Sequence, residues 1–298
     1  SWEVVGEVTE EAAKKTGLAK NTPVVSGGGD RPCEALGAGV IAPGRINVGT
    51  GTATAMEVPL TEPTPDRKGR VDCCCHVVPN TWEYEAVIMT TGASLRWFRD
   101  IFGYEEVEKA QKTGEDPYKY FDKLAEKVGK GSNMLFYYPY PMGAKSPKFN
   151  DLARGVFFGF TLGHGKACFI RAILEGVAFQ YVETLEMLSE LGVKVKEVSM
   201  VGGETKSSLW SQIKADVIGI PIKIPEASDA AAALGSAILA GVGSGVYENV
   251  QEGVESCVRS MERYDPSMDE HEEYVKIHEK YRKVYDVLSP AYKTIAIT

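Results

Sequence analysis

Histidine and cysteine are scarce in this 298-residue chain, and neither is arranged for metal binding. The four histidines, His76, His164, His271 and His278, form no HExxH or comparable set. Three of the six cysteines are consecutive, Cys73 to Cys75. Neighbouring residues of a strand point to opposite faces, so these three cannot converge on one zinc ion, and no Cys-x-x-Cys pair occurs elsewhere. Six cysteines are also too few for a disulfide scaffold at this length, so a reduced protein without a protein-built metal site is expected. Long apolar runs are missing. No stretch reaches the roughly 18 to 20 residues that span a bilayer, and Ser1-Trp2-Glu3 lacks the basic-then-apolar order of a signal peptide. A cytoplasmic location with no membrane partner is the expectation. Positive charge is in deficit as well: 33 Lys and Arg against 41 Asp and Glu leave a net charge of -8, which argues against nucleic acid and for small-molecule partners.

What the chain does have is the balance of a globular protein, 44% apolar and 25% charged, with no repeat or low-complexity segment. Its patterns fall into two blocks. Pro23 to Ser26 reads as a short strand running into Gly27-Gly28-Gly29-Asp30, and Pro32 suits the first turn of a helix reaching Gly37 or Gly39. The runs Arg45 to Val48, Ala53 to Val58, Val71 to Val78 and Trp82 to Met89 then predict an antiparallel meander. Tyr104 to Ser132 is polar, helical in tendency, and placed as an insertion. In the second block, helical spacing from Lys166 to Leu191 predicts one long helix stopped by Gly192. A buried strand at Glu197 to Val201 follows, then a turn at Gly202-Gly203, a cap at Ser207 or Ser208, and a helix from Leu209 to Ile218 stopped by Gly219. A strand at Ile222 to Ile224, a helix from Asp229 to Ala240 and an amphipathic helix after Pro266 complete the list. A β-meander followed by αβαβα is the layout of an α/β, ribonuclease-H-like, actin-type ATPase domain with a mixed sheet.

Three loops could carry chemistry. In Gly49-Thr50-Gly51-Thr52, glycines let consecutive N–H groups point at one anion while threonine hydroxyls add donors. Taken alone, an ordinary glycine hairpin turn explains that segment better. Gly202-Gly203 lies between a strand and a helix, where α/β sheets tend to bind ligands, although a tight turn alone also accounts for it. Two separated loops that both suit a nucleotide strengthen each other. In the third, Gly27 to Asp30, the aspartate could accept a proton or cap a helix, and the two roles are compatible.

These residues also resemble a known family, along nearly the whole chain from Val8 to about Ala291. Ser26-Gly27-Gly28-Gly29-Asp30 with Ala35-Leu36-Gly37-Ala38-Gly39, and the segment Tyr137 to Pro147 with Ala153-Arg154-Gly155, resemble the FGGY carbohydrate kinases of the xylulokinase type. So do Gly159 to Leu162, His164 and Leu174-Glu175-Gly176, and the series Val201-Gly202-Gly203, Lys206-Ser207, Trp210, Gln212, Ala215-Asp216 and Gly219. The resemblance implies transfer of the ATP γ-phosphate to a sugar or polyol hydroxyl, with Mg2+ on the phosphates. It implies Asp30 as catalytic base, Asp30 and Arg31 at the substrate, and Gly49, Thr50, Gly51, Thr52, Gly202, Gly203, Glu204 and Ser207 at the nucleotide.

Some positions depart from the pattern. Glu204 replaces a usual third glycine, where a carboxylate could repel phosphate or bond a ribose hydroxyl. Arg31 stands where glutamine is frequent, Ala144 and Lys145 replace a Glu-Arg pair, and Gly51-Thr52 reorders the phosphate loop. No Asp-x-Gly-Thr loop lies near the start of the chain. Residues 1–22 are therefore expected to be the tail of a preceding sugar-binding domain, and 23–298 the C-terminal ATP-binding domain, inactive by itself. The partners expected are that domain, ATP and the sugar, with homodimerisation left open. The competing reading is a non-catalytic actin-like nucleotide-binding regulatory module. A dehydrogenase would need a G-x-G-x-x-G turn that Gly27 to Asp30 does not provide.

Overall fold

The computed structural model describes residues 1–295, so the last three positions of the expected ATP-binding unit lie outside the described residues. In chain order the elements are β1 (Val4–Glu7), α1 (Glu10–Thr16), β2 (Pro23–Val25), α2 (Asp30–Gly37), β3 (Arg45–Thr50), β4 (Thr54–Leu60), β5 (Asp72–Cys75) and β6 (Trp82–Ile88). Then come α3 (Gly92–Phe102), α4 (Tyr104–Thr113), α5 (Pro117–Ala125), β7 (Phe136–Tyr138), β8 (Val156–Phe158), α6 (Lys166–Glu190), β9 (Glu197–Gly202) and α7 (Ser208–Ile218). The chain ends with β10 (Ile222–Pro225), α8 (Ala231–Gly243), α9 (Val250–Cys257), β11 (Ser260–Tyr264) and α10 (Met268–Leu288).

Seven strands form one sheet in the order β11-β10-β9-β3-β4-β6-β5. The β10, β9 and β3 strands are parallel, while β3, β4, β6 and β5 pair antiparallel. The expected meander therefore has the right direction but a different order, because β4 pairs with β6 and β5 takes the outer edge. Packing explains the exchange. Met56 opposes Ala86 and Val58 opposes Tyr84, all four buried, whereas β5 keeps Asp72 and Cys75 exposed and suits an edge. The long polar link after β4 gives room for the crossing, and Asp66 clamps it by accepting from Arg70 Nε at 2.9 Å.

Strand alternation assigns the two faces. Ile46 and Val48 of β3, with Val198 and Met200 of β9, enter the main core beneath α6, α7 and α10. On the other face Asn47 meets Glu34 of α2, Ser199 donates to the Ala38 carbonyl at 2.8 Å, and Val201 packs with Ala35 and Ala231. The α6 helix is buried along most of its circumference, which its apolar composition allows. Its stop is Gly192, at φ 86. Beneath the sheet, α2 and α8 cross at Gly37 and Gly235, where an added Cβ would stand 1.8 Å from the Ala231 oxygen and 1.9 Å from the Cys33 oxygen. Only glycine lets two helix backbones approach so closely. The segment 1–22 joins the rest through β1, which pairs antiparallel with β2.

Candidate active site

Parallel pairing brings Thr50, the last residue of β3, opposite Gly202, the last of β9. The loops that follow therefore leave from neighbouring carboxyl ends of the sheet, where α/β proteins place ligands. Thr50 fastens them together: its hydroxyl donates to the Val201 carbonyl at 2.7 Å and accepts from Glu204 N–H at 3.2 Å. Gly202, at φ 92, has no space for a side chain, since a Cβ would stand 2.0 Å from the Thr50 oxygen. At Gly49 a Cβ would meet Glu34 Oε1 of α2 at 1.8 Å. Of the eight residues expected at the nucleotide, these three shape the walls from behind. The other five, Gly51, Thr52, Gly203, Glu204 and Ser207, line a common cleft of about 470 Å³.

The remaining walls come from helices whose contribution the sequence reading missed. Gly92, Leu95 and Arg96 of the first turn of α3 face the cleft, and Thr91 and Ala93 N–H both donate to the Thr52 carbonyl at 3.2 Å. Arg96 Nη2 lies 3.4 Å from Thr52 Oγ1. A Cβ on Gly92 would come within 2.4 Å of the Gly51 oxygen, so glycine is required where α3 abuts the loop. The signal for α3 is Thr91-Gly92 ahead of Leu95, Phe98 and Phe102 at helical spacing. Asp116, Tyr118, Lys119 and Asp122 of the α5 start line another side. Asp116 caps α5 by accepting from Tyr118 N–H at 2.9 Å, and Ser207 caps α7 by accepting from Trp210 N–H at 3.0 Å.

Behind the floor lies a buried ion pair. Glu204 Oε2 contacts Lys214 Nζ and accepts from the Tyr181 hydroxyl at 3.3 Å, while Glu204 Oε1 has no partner among the described residues. Lys214 sits over the Trp210 ring at 4.2 Å and near the Tyr181 ring at 5.3 Å, fully buried. Burial pulls its ammonium below the ordinary lysine range and the Glu204 carboxylate opposes that shift. The Glu204 side chain is thus engaged in the floor, away from open solvent.

Asp30 and Arg31 lie apart from this cleft. Gly29, not Asp30, is the N-cap of α2. Asp30 is the exposed first helical residue, its Oδ1 accepting from Arg31 N–H at 3.0 Å, and it does not serve as the cap of α2. Arg31 Nη1 donates to Glu34 Oε1 at 3.2 Å, and Asn47 Nδ2 bridges that oxygen, at 3.2 Å, to Glu57 Oε2, at 2.7 Å. Burial, aided by Glu34, pushes the Glu57 carboxyl well above its ordinary range. Glu34 and Arg31 both stand against Gly49, so the first turn of α2 adjoins the strand that leads into the Gly51–Thr52 loop.

Residues 45–244 match the FGGY family of carbohydrate kinases, C-terminal domain. Autoinducer-2 kinase of Yersinia enterocolitica is 37% identical over 272 residues, covering 89% of this chain and 50% of its own length, so the chain spans about half the length of the relatives it matches. Among solved structures, xylulose kinase of Rhodospirillum rubrum superposes with a TM-score of 0.83 at 28% identity, covering 98% of this chain and 57% of that one. Glycerol kinase of Plasmodium falciparum, solved with ADP, shares the fold at a TM-score of 0.79 and 21% identity, covering 93% of this chain and 53% of that one. The match along 45–244, which takes in both glycine loops and the α3, α5 and α7 walls, together with this mixed sheet, shows that the chain belongs to the FGGY family of carbohydrate kinases.

Proposed function

We propose that this chain is the nucleotide-binding half of a kinase that moves the γ-phosphate of ATP to a hydroxyl of a sugar or polyol. The observation that carries this reading is the convergence of Gly51–Thr52, Gly203 and the α3 start on one cleft, with Asp30 free on the adjoining helix. The glycines at 51, 92 and 203 leave the cleft wall without side chains, so phosphate can approach the backbone, and Arg96 adds a cation beside Thr52. Among the described residues no group of three or more His, Cys, Asp or Glu could hold a metal ion, so Mg2+ would ride on the phosphates. When bound it neutralises charge on the transferred group. Asp30 takes the proton of the acceptor hydroxyl as its bond to phosphorus forms, and Arg31, held by Glu34, presents a fixed cation to the acceptor.

The acceptor belongs to the class named by the relatives, with autoinducer-2 and xylulose as the first candidates. Residues 1–22 form the tail of a preceding sugar-binding domain, and this chain's compartment is the cytoplasm. Calorimetric titration with MgATP tests the reading directly. The purified chain is expected to bind the nucleotide and to melt at a higher temperature with it, yet to release no ADP on adding sugar. Absence of nucleotide binding would defeat the proposal.

A further inference from the structure

Three parts of the cleft wall meet at one hydroxyl that lies outside the cleft. Tyr181 of α6 is buried and is not among the residues that line it. Its hydroxyl donates to Glu204 Oε2 at 3.3 Å, and its oxygen lies 3.1 Å from Oγ1 of Thr54, the first residue of β4. Thr54 Oγ1 in turn lies 2.8 Å from Oγ1 of Thr91, at the N-cap position of α3. Glu204, Thr54 and Thr91 are all buried, and they belong to the three segments that bring Gly203, Gly51–Thr52 and Gly92 into the cleft.

The carboxylate fixes the direction of every bond in this series. An oxygen that already faces the Lys214 ammonium can only accept, so the Tyr181 proton is committed to it. The Tyr181 oxygen is then left to accept from the Thr54 hydroxyl, and the Thr54 oxygen to accept from Thr91. Thr91 accordingly spends its hydroxyl inward and makes no side-chain cap on α3, while its N–H donates to the Thr52 carbonyl at 3.2 Å. Burial, with Glu204 beside it, pushes the Tyr181 hydroxyl well above its ordinary range, so the proton stays on at neutral pH. Thr50 joins the two glycine loops at their roots, and the Tyr181 series joins both to α3 from the side of the core. We propose that Tyr181 is a positioning residue for the nucleotide, its hydroxyl setting the spacing of the 202–204 loop, the β3–β4 turn and the start of α3. The inference rests on the nucleotide reading above and adds to it a residue that acts only through others. A satisfied polar network inside a core holds one arrangement of its members, and a binding site keeps its geometry when the groups behind it are locked in this way.

The test is calorimetric titration of the purified chain with MgATP, with melting temperatures measured alongside. Tyr181→Phe keeps the ring beside Lys214 and removes the hydroxyl alone, and it is expected to bind MgATP about tenfold more weakly than the unsubstituted chain. Tyr138→Phe is the control: its lost hydroxyl donates to the Tyr281 carbonyl at 2.8 Å, also buried, so it should lower the melting temperature and keep full MgATP affinity. Thr54→Val removes the next hydroxyl of the series and should weaken MgATP to a similar extent. The pair Tyr181→Phe/Thr54→Val should lose less than the product of the two single losses, because either break opens the same series. Full affinity in Tyr181→Phe, an equal loss in Tyr138→Phe, or losses that multiply in the pair would reduce Tyr181 to a core residue and overturn the assignment, leaving the nucleotide site in place. If Tyr181→Phe does not fold, Thr54→Val decides by the same measure, and full affinity there overturns the proposal. Failure of MgATP to bind the unsubstituted chain would remove the nucleotide reading itself and this inference with it.

Discussion

The two ends of the site differ in how much of them this chain builds. The cleft proposed for the nucleotide is lined by the β3–β4 turn, α3, α5 and the start of α7, and its floor is tied to the core through Glu204, Lys214 and Tyr181. Asp30, in contrast, stands exposed at the head of α2 with one backbone contact, and the cluster behind Arg31 supports it from one side only. The β1–β2 ribbon leaves Val4, Val5 and Val24 in the open. A binding function can live within one domain, whereas transfer needs nucleotide and acceptor held together, and orientation of that kind is worth up to roughly 7 to 11 kcal/mol. Binding and turnover should therefore respond to different residues.

The sharpest division should appear at Asp30. With a preceding kinase domain joined in the same chain or supplied as a partner, Asp30→Asn is expected to lower sugar-dependent turnover about 10²- to 10⁴-fold, the usual cost of losing a general base. Affinity for ATP and melting temperature should stay unchanged, because Asp30 lies outside the cleft and Gly29 holds the cap position. A loss of ATP affinity as large as the loss of turnover would erase the contrast between the two regions.

Next in size is the floor. Lys214→Met leaves the Glu204 carboxylate buried without its cation, and breaking such a pair on one side costs about 3–5 kcal/mol. Melting temperature should fall steeply. The double variant Glu204→Gln/Lys214→Met should recover most of the loss, since a neutral amide among apolar neighbours carries no uncompensated charge. If the single variant melts like the unsubstituted chain, the cleft floor is not anchored by this pair.

How far the sequence discloses such a site depends on what kind of signal each part leaves. The α6, β9 and α7 elements were legible because period, cap and stop agree locally: apolar spacing to Leu191, the Gly202–Gly203 turn, Ser207 as cap, Gly219 as stop. The two loops were legible as glycine clusters, and their meeting follows from a parallel pairing between residues about 150 positions apart. The division of labour within them was not. Thr50 reads as a phosphate donor but spends its hydroxyl on Val201 and Glu204, and Gly49 and Gly202 serve close packing. Glu204 reads as a departure beside phosphate until Lys214, ten residues on, is seen to turn it inward. The α5 wall was hidden for another reason. A polar helical insertion shows its helix in the sequence, but nothing local tells that Asp116, Tyr118 and Asp122 will line the cleft. The β5–β6 exchange escaped because strand order is set by which faces are buried together, and several orders satisfy the same alternation.

The smallest expected effect lies away from the cleft, on the half of the sheet that ends at β5, and it asks whether the region around Asp30 is as sensitive to charge as the nucleotide floor. Glu83 of β6 is fully buried, both its carboxyl oxygens lack hydrogen-bond partners among the described residues, and His76 Nε2 stands 3.7 Å away, also buried. Burial, with Glu85 nearby, pushes the Glu83 carboxyl up to about 8, and burial pushes His76 down to about 4, so at neutral pH the two face each other as a neutral acid and a neutral imidazole. A carboxyl whose folded-state pKa is raised from 4.5 to about 8 binds more protons folded than unfolded between those values. The stability it supports is complete below pH 4.5 and is lost as pH rises through 8. Glu83→Gln keeps the shape and cannot ionise, so its melting temperature should lie near that of the unsubstituted chain at pH 5 and above it at pH 8, where the variant is more stable by an amount of order 1–3 kcal/mol. His76 works in the opposite direction at lower pH. Its folded form resists protonation, so acid below its ordinary value near 6.5 destabilises the fold, and His76→Gln should flatten that acid limb. Thermal melts of the two variants from pH 4 to pH 9 separate the contributions. A Glu83→Gln curve parallel to the unsubstituted one across this range would mean that Glu83 ionises without cost, and that of the two regions only the cleft floor is sensitive to charge.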